Sequence, residues 1–192
     1  MSLAETRISL ASLPTGRLHD VLAEAGTGPA GGSAAALATS MASGLVRLVA
    51  RVSHEWEEAP GIAAQAAALG DRSLALADED HVVYAHAVEQ LRAPDRDATL
   101  GRALRRAAEV PLRISETAAD VAALAALAAR DGDDKVRGDA WTAATLAEAA
   151  SVAAARLVHV NLATRPDDEL CARADAAAEA AASARDVALA HT

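Results

Sequence analysis

The chain of 192 residues is poor in aromatic side chains: it has no Phe, one Tyr and two Trp. Its single cysteine, Cys171, excludes an internal disulfide and has no Cys or His at metal-ligand spacing, so we expect it to be inert. Strands favour aromatic and β-branched residues, which do not cluster here. The composition therefore excludes a disulfide-stabilised scaffold and argues against a sheet.

Positive charge is also scarce, with 18 Lys and Arg against 27 Asp and Glu and a formal net charge of −9. Such a chain has no general attraction for nucleic acid or for an anionic membrane. Its start lacks a basic region followed by an apolar run, and charges such as Arg47 and Asp120 interrupt the small-residue stretches. We therefore expect a cytoplasmic protein without nucleic-acid or membrane partners.

Alanine is abundant, at more than a quarter of the residues. It has the highest helix propensity, which predicts an all-α fold, and the length suits a single domain over 1–192. Alanine-lined helices pack closely but bury little apolar surface per residue, so contact between subunits often adds stability. We expect an oligomer, most simply a homodimer.

Turn and capping residues divide the chain into six helices, most simply arranged as a layered multihelical bundle. The predicted helices run approximately over Thr15–Ala25, Ser33–His54, Pro60–Arg92, Thr99–Arg130, Asp139–Leu162 and from Pro166 onward. Pro94-Asp-Arg-Asp97 is the predicted end of the third helix.

Two of these helices carry more specific expectations. Ser33 is the predicted N-cap of the second helix, whose apolar residues recur at spacings of three and four: Leu37, Met41, Leu45, Leu48 and Val52. Pro111 lacks a backbone donor, so we expect it to kink or divide the fourth helix.

A glycine-rich loop, Gly26-Thr-Gly-Pro-Ala-Gly-Gly-Ser33, precedes the second helix. Free backbone N–H groups at a helix start favour an anion, so the loop suits a carboxylate or a phosphate. An ordinary connector before a capped helix is the alternative. The loop has neither the Lys-Ser/Thr of a Walker sequence nor a preceding strand, which disfavours nucleotide binding.

Three consecutive acidic residues, Asp78, Glu79 and Asp80, lie on the third predicted helix. Neighbours on a helix point in different directions, so they cannot all serve one site. Asp78 and His81 have the spacing of half a di-metal carboxylate motif. The second Glu-x-x-His copy is absent, and we expect no metal.

Asp139 stands at a predicted helix start, where capping or dipole stabilisation is the simplest role of a carboxylate. Asn161 follows twenty-two residues later, roughly 33 Å along the helix axis. One subunit cannot easily join the two in one site. An antiparallel helix of a partner subunit would do so, which makes a two-fold dimer interface a natural hypothesis.

A short basic cluster consists of Arg102, Arg105 and Arg106. A solvated helix face is one interpretation. The other is attraction of a polyanionic tail such as a polyglutamate, since guanidinium groups match carboxylates.

Several segments, in order, resemble the C-terminal domain of formiminotransferase-cyclodeaminase and the free-standing methenyltetrahydrofolate cyclohydrolases. Pro29-Ala-Gly-Gly-Ser-Ala-Ala-Ala36 is similar to the family's Pro-Gly-Gly-Gly-Ser-Ala-Ala-Ala opening. The other matching segments are Asp78-Glu-Asp80 followed by Tyr84, Ala107-Ala-Glu-Val-Pro-Leu112, Asp139 and Val158-His-Val-Asn-Leu162. The resemblance spans nearly the whole chain.

The resemblance implies an all-helical homodimer that acts on the one-carbon bridge of a tetrahydrofolate derivative, with no separate cofactor. It makes Asp139 the leading acid/base candidate, Asp80 a second carboxylate and Asn161 a positioning group. Gly31, Gly32 and Ser33 become a folate-contacting loop.

Three functions remain open. Hydrolysis of 5,10-methenyltetrahydrofolate comes first, because the chain stands without a transferase domain. A formimidoyltetrahydrofolate cyclodeaminase that releases ammonia comes second. The third is a non-catalytic homologue that keeps the scaffold for folate binding or protein interaction.

Departures from the family pattern motivate the third function. Ala30 replaces the first glycine of the triple, and its methyl restricts the backbone. The stretch Ser53-His-Glu-Trp-Glu57 stands where the family has a Gly-Lys-x-x-Tyr-like segment. Leu157 occupies the first Asn position of Asn-Val-x-Ile-Asn-Leu, leaving only Asn161.

Overall fold

A computed structural model describes residues 9–24, 28–92 and 97–191, with side chains described from residue 100 in the last range. The six α-helices are α1 (Thr15–Ala23), α2 (Gly31–Val52), α3 (Ala59–Arg92), α4 (Asp97–Asp131), α5 (Arg137–Asn161) and α6 (Glu169–Ala190). Short 3-10 turns occupy Leu10–Ser12 and Asp134–Val136, and these ranges contain no strand. The predicted all-α, six-helix architecture is confirmed.

Small side chains let the helices approach closely. The buried face of α5 is mainly alanine, including Ala140, Ala144 and Ala147, and it packs against α2, α4 and α6. At the contact between α4 and α5, the Ser115 hydroxyl lies 3.0 Å from the Ser151 carbonyl, and the Ser151 hydroxyl lies 3.0 Å from the Ser115 carbonyl. Both serines are fully buried, so this pair joins the helices without leaving a hydroxyl unpaired.

α2 and α5 run antiparallel, which defines two ends of the molecule. At one end Gly31 faces α5, where a Cβ on Gly31 would lie 3.7 Å from Leu157 Cδ1. At the other end, the backbone N–H of Asp133 donates to Ser53 Oγ at 2.7 Å. We call these the Gly31 end and the Ser53 end.

Most helix boundaries lie close to those expected. α3 has Pro60 in its first turn and ends at Arg92, as predicted. α1 ends at Ala23, whereas the predicted last residue, Ala25, lies outside the described residues. The proposed stop over 94–97 also falls largely outside them, with only Asp97 described, as the first residue of α4.

α4 is undivided at Pro111, so a division of the helix there is wrong, and the alternative of a kink stays a prediction. Proline has no N–H, and the carbonyl of Ala107 four residues earlier therefore loses its usual donor. Asn161 Nδ2 donates to that carbonyl at 2.8 Å. A side chain from α5 thus replaces the missing backbone donor, and α4 continues through the proline.

α6 begins at Glu169, so placing Pro166 in its first turn was wrong. Asp168 is the N-cap instead, and it accepts from the backbone N–H of Leu170 at 3.2 Å. Arg105 Nη1 lies 2.7 and 2.6 Å from the two carboxylate oxygens of Asp168. The Leu170 N–H and the Arg105 guanidinium hold the pKa of Asp168 below its ordinary value. This cap, fixed by α4, determines where α6 starts.

The periodic apolar residues of α2 predict the helix correctly, but they do not form its buried face. Met41 is 61% exposed and Leu48 is 43% exposed. The buried face is made mainly of small residues such as Ala36, Thr39 and Ala42. Met41 and Leu48 therefore point away from the core of a single chain, whereas Leu37 and Leu45 are partly buried against it.

The α4–α5 contact leads to a stability prediction. Ser151→Ala removes one hydroxyl and should lower the free energy of unfolding by about 1 kcal/mol. Ser115→Ala should do the same, and the double variant should cost less than the sum, because the two hydroxyls contact each other. Urea unfolding measures all three, with the exposed Ser183→Ala on α6 as the control. Strict additivity would contradict the coupling.

Candidate active site

A buried carboxyl lies at the Gly31 end, between α2 and α3. Asp80 is 8% exposed, and the Ser33 hydroxyl lies 3.0 Å from its Oδ2 and 3.0 Å from the Ala77 carbonyl. The backbone N–H of Ser33 also donates to Asp80. α2 and α3 are thus joined by one carboxyl that contacts both polar groups of Ser33.

Asp80 supplies the helix cap that α2 lacks. α2 starts at Gly31 and its N-cap is Ala30, which has no capping side chain, so the prediction of Ser33 as N-cap is wrong. The Asp80 carboxyl lies instead at the N-terminal end of the helix, where N–H groups and the dipole favour negative charge. The glycine loop was predicted to attract an anion. At Ser33 the group found in that position is a carboxyl of the protein itself, that of Asp80.

Burial raises the pKa of Asp80 above its ordinary value of 3.8, and the hydrogen bonds from Ser33 oppose that rise. Desolvation disfavours the charged form, while donors favour it. The effect of burial on the pKa is the larger one here, so Asp80 keeps its proton to a higher pH than an exposed aspartate.

Position 32 requires glycine because the Asp80 carboxyl lies directly against it. A Cβ on Gly32 would overlap the Asp80 carboxylate. Gly31 is exposed and has only an ordinary contact distance to Leu157. Of the three predicted folate-contacting residues, Gly31 is therefore open to solvent, whereas Gly32 and Ser33 are buried behind it.

The three consecutive acidic residues serve different neighbours, as predicted. The backbone N–H of Leu10 donates to Asp78 Oδ1 at 2.8 Å. Arg113 Nη1 donates to both oxygens of Glu79 at 2.8 Å. Only Asp80 faces the start of α2.

His81, which had the spacing of half a metal motif, has a buried Nδ1 without a hydrogen-bond partner among the described residues. Within the same ranges, no three His, Cys, Asp or Glu side chains come close enough to hold a metal ion.

Asn161 also lies at the Gly31 end, and its orientation is fixed. Because Nδ2 donates to the Ala107 carbonyl, the Oδ1 atom must point elsewhere. Asn161 lines a groove of about 340 Å³ together with Tyr84, Leu91, Leu104 and Val160. Sequence reasoning missed this groove, although Tyr84, Val88 and Leu91 have the i, i+4, i+7 spacing of one helix face.

Asp139 is far from this site within one chain. It lies in the first turn of α5 at the Ser53 end, eighteen residues before Leu157 and therefore roughly 27 Å from it along the axis. A groove of about 630 Å³ at the Ser53 end is lined by residues 52–56 and 131–135. The structure therefore brings Asp80, Gly31 and Asn161 to one end and leaves Asp139 at the other.

The basic cluster contributes mainly to structure. Arg105 pairs with Asp168 and, at 3.1 Å, with Glu169. Arg102 and Arg106 are exposed. This arrangement agrees with the interpretation as a helix face for Arg102 and Arg106 and gives Arg105 a role in anchoring α6.

The sequence from residue 14 to 180 matches the profile of the formiminotransferase-cyclodeaminase family. The chain belongs to this family. The fold agrees with the crystal structure of formiminotetrahydrofolate cyclodeaminase from Thermotoga maritima, with a TM-score of 0.88 and 20% identity over 95% of this chain and 96% of that one. No curated protein matched the sequence.

The family-like residues are divided between the two ends of the molecule. Gly31–Ser33, Asp80 and Asn161 lie at the Gly31 end, whereas Asp139 lies at the Ser53 end, beside the departing segment Ser53–Glu57. The family resemblance therefore covers two separate surfaces of one subunit.

The close approach at Gly32 leads to a prediction. Gly32→Ala should destabilise the protein by about 1–3 kcal/mol, since the new methyl must displace a buried carboxyl. Gly61→Ala is the matched control: it lies in α3 with open space around its Cβ position, and should be neutral or stabilising by up to about 1 kcal/mol. Equal effects in denaturant unfolding would contradict the contact.

The raised pKa of Asp80 predicts a pH dependence of stability. The folded state holds the proton more tightly than the unfolded chain, so wild-type stability should fall as pH rises from about 3.8 through the raised folded value. Asp80→Asn lacks this titration. Urea unfolding between pH 4 and pH 8 should show wild type losing stability relative to Asp80→Asn, and parallel profiles would contradict the shift.

Proposed function

We propose that the protein is a methenyltetrahydrofolate cyclohydrolase, which opens the one-carbon bridge of 5,10-methenyltetrahydrofolate with water. The observation that carries this proposal is the buried Asp80 carboxyl at the start of α2, one helical turn along α3 from Tyr84 of the groove, in a chain of this family. Buried carboxyls with perturbed pKa values are typical of sites that transfer protons.

The charge of the substrate favours hydrolysis of the methenyl bridge. That bridge carries a permanent positive charge over two nitrogens, whereas a formimino group is cationic only when protonated. The protein has a net charge of −9, and the groove at the Ser53 end contains Glu55, Asp131, Asp133 and Asp134. Acidic surroundings stabilise a cation.

A formimidoyltetrahydrofolate cyclodeaminase is the second candidate. The observation that favours it is the likeness to the Thermotoga maritima protein, whose activity is given as formiminotetrahydrofolate cyclodeaminase. In that reaction the formimino carbon closes onto the neighbouring nitrogen and ammonia leaves.

In the proposed hydrolysis, water adds to the bridging carbon and gives a proton to Asp139. The bond from that carbon to one of the two nitrogens then breaks, and that nitrogen keeps the electron pair and takes up the proton held by Asp139. The added hydroxyl loses its proton to form the formyl group, so one proton is released overall. Water is the only co-reactant, and the proposal needs no cofactor.

The other residues position the folate. Asp80 acts as the second carboxylate and holds the turn at Gly31, Gly32 and Ser33. The groove beside Asn161 begins one helical turn from Asp80, at Tyr84, and its apolar wall suits the flat pterin ring. The fixed Oδ1 of Asn161 accepts an N–H of that ring.

We further propose a homodimer. Asp139 lies at the Ser53 end of one subunit and Asp80 at its Gly31 end. An antiparallel partner brings the Ser53 end of one subunit next to the Gly31 end of the other. The net charge of −9 gives no attraction for nucleic acid or an anionic membrane, and we propose a cytoplasmic location.

The deciding assay follows the absorbance of methenyltetrahydrofolate against its spontaneous hydrolysis and, separately, the ammonia released from the formimino derivative. Wild type should accelerate the first, and Asp139→Asn should lower kcat about 10²–10⁴-fold. Asp120→Asn, an exposed carboxylate of α4, is the control and should keep full activity. A folded protein that accelerates neither reaction would favour the non-catalytic homologue.

Mixed variants test the shared site. Asp139→Asn and Asp80→Asn should each be inactive alone. Random reassembly of an equal mixture gives half heterodimers, each with one intact site, so about a quarter of wild-type activity should return. No recovery, despite proven subunit exchange, would place both carboxylates in the same subunit's site or remove one of them from catalysis.

A further inference from the structure

Ser53 lies where two segments that are remote in sequence meet. It follows the last residue of α2 and is 4% exposed. Its hydroxyl donates to the Val49 carbonyl at 2.7 Å and accepts the backbone N–H of Asp133 at 2.7 Å. A hydroxyl has one hydrogen to donate and lone pairs to accept, so it can make both bonds at once. One buried oxygen atom thus joins the end of α2 to the segment between α4 and α5.

The backbone around this hydroxyl is closely packed. A Cβ on Gly132 would lie 2.7 Å from Val49 Cγ1 and 3.2 Å from Ser53 Oγ. The segment between α4 and α5 therefore packs with its backbone directly against the end of α2, with no room for a side chain between them. This segment cannot move without changing its contact with Ser53.

The hydrogen bonds continue from Asp133 toward α5. The Asp133 carboxylate accepts the backbone N–H two residues later at 2.9 Å, and so caps the 3-10 turn Asp134–Val136. α5 starts directly after this turn. The N-cap residue of α5 is Val136, whose side chain cannot cap a helix. The turn that Ser53 holds therefore determines where α5 begins.

Asp139 lies in the first turn of α5, six residues after Asp133. Gly138 has open space at its Cβ position, so that side of the turn is loosely packed. Ala140 is the first residue of α5 that is fully buried, and a methyl group is a small anchor. A displacement of the preceding turn is therefore transmitted to Asp139.

The second hydrogen bond of Ser53 distinguishes it from an ordinary helix serine. Ser73 is also buried, and its hydroxyl donates to the Leu69 carbonyl four residues earlier at 2.7 Å. Ser53 makes the same local bond and in addition accepts from a backbone N–H 80 residues later. The local bond alone would be enough to satisfy the hydroxyl. The remote bond indicates a role in joining the two segments.

We propose that Ser53 is a positioning residue for Asp139, because its hydroxyl holds the turn before α5 against the end of α2. This inference rests on the proposed function, in which Asp139 takes the first proton from water. Ser53 contacts no reacting atom and acts only through the placement of that carboxylate. A misplacement of about 1 Å can cost about 10²-fold in rate.

Steady-state kinetics test the effect on turnover. Ser53→Ala should lower kcat about 10–10²-fold and keep KM within about threefold, since the groups proposed to bind folate lie at the Gly31 end. Ser73→Ala is the matched control. It removes a buried hydroxyl that, within the described residues, bonds only its own helix, and it should keep kcat within about threefold. An equal loss of kcat in both variants, or a change in KM alone, would overturn the proposal.

A double variant tests whether Ser53 acts through Asp139. Ser53→Ala should cause no further loss of kcat in the Asp139→Asn background, since the carboxylate that Ser53 positions is already absent. A merely structural role would lower kcat by the same factor in both backgrounds. That result would overturn the positioning role.

Amide hydrogen exchange tests the contact without an activity assay. In Ser53→Ala the Asp133 amide loses its acceptor, so its exchange and that of residues 134–139 should rise about tenfold relative to residues 143–147 of the same helix. The comparison within α5 separates a local loss of order from global destabilisation. Ser73→Ala should leave the ratio unchanged. An unchanged ratio in Ser53→Ala would contradict the role of the hydroxyl.

These results distinguish the inference from the proposed function. If wild type accelerates neither folate reaction, the positioning role fails together with the proposed function, whereas the exchange result still shows whether Ser53 holds the start of α5. If wild type is active and Ser53→Ala keeps full kcat despite faster exchange, the contact exists but does not position Asp139. That outcome overturns the inference and leaves the enzyme assignment intact.

Discussion

The Asp80 carboxyl is the interaction on which the Gly31 end depends. It compensates for the missing side-chain cap of Ala30 and joins α3 to α2 through both polar groups of Ser33. That contact requires a glycine at position 32, and it places Gly31 at the surface beside α5. Burial of a carboxyl costs free energy, and here the opposing donors come from a single residue. The position of the loop therefore depends on a group whose protonation changes with pH.

A second constraint comes from the size of alanine. A core lined with methyl groups lets α4, α5 and α2 approach closely, as the buried pair of Ser115 and Ser151 illustrates. Large side chains such as Val46 and Val49 of α2 are buried in this core, whereas Met41 and Leu48 of the same helix are exposed although they are apolar. A single chain therefore keeps apolar side chains on the outer side of α2.

Turn and capping residues predicted most of the fold. Pro60 and the glycine loop marked helix starts well, because their effects act through neighbouring backbone atoms. The division predicted at Pro111 was wrong for the opposite reason. The hydrogen bond that the Ala107 carbonyl lacks is supplied by Asn161, which is remote in sequence. Ser33 was misplaced in the same way, since its partner Asp80 lies on another helix. The spacing of its apolar residues located α2 but did not indicate which side of the helix is buried. A 3.6-residue repeat shows that a helix forms and does not show which surface it packs against.

The site could be predicted only in part, and its geometry explains why. Sequence similarity identified Asp80, Asn161 and Asp139 together, yet the fold separates the last from the other two by most of the length of α5. Asn161 also has a structural role at Pro111. A polar residue in a family-like segment can therefore use one of its groups to hold its position and another to contact substrate. One of the two Nδ2 hydrogens is donated to Ala107 of α4, so Oδ1 and the other hydrogen remain for a ligand. One chain therefore has a carboxyl at each end, Asp80 at the Gly31 end and Asp139 at the Ser53 end, and the fold of that chain does not bring the two together.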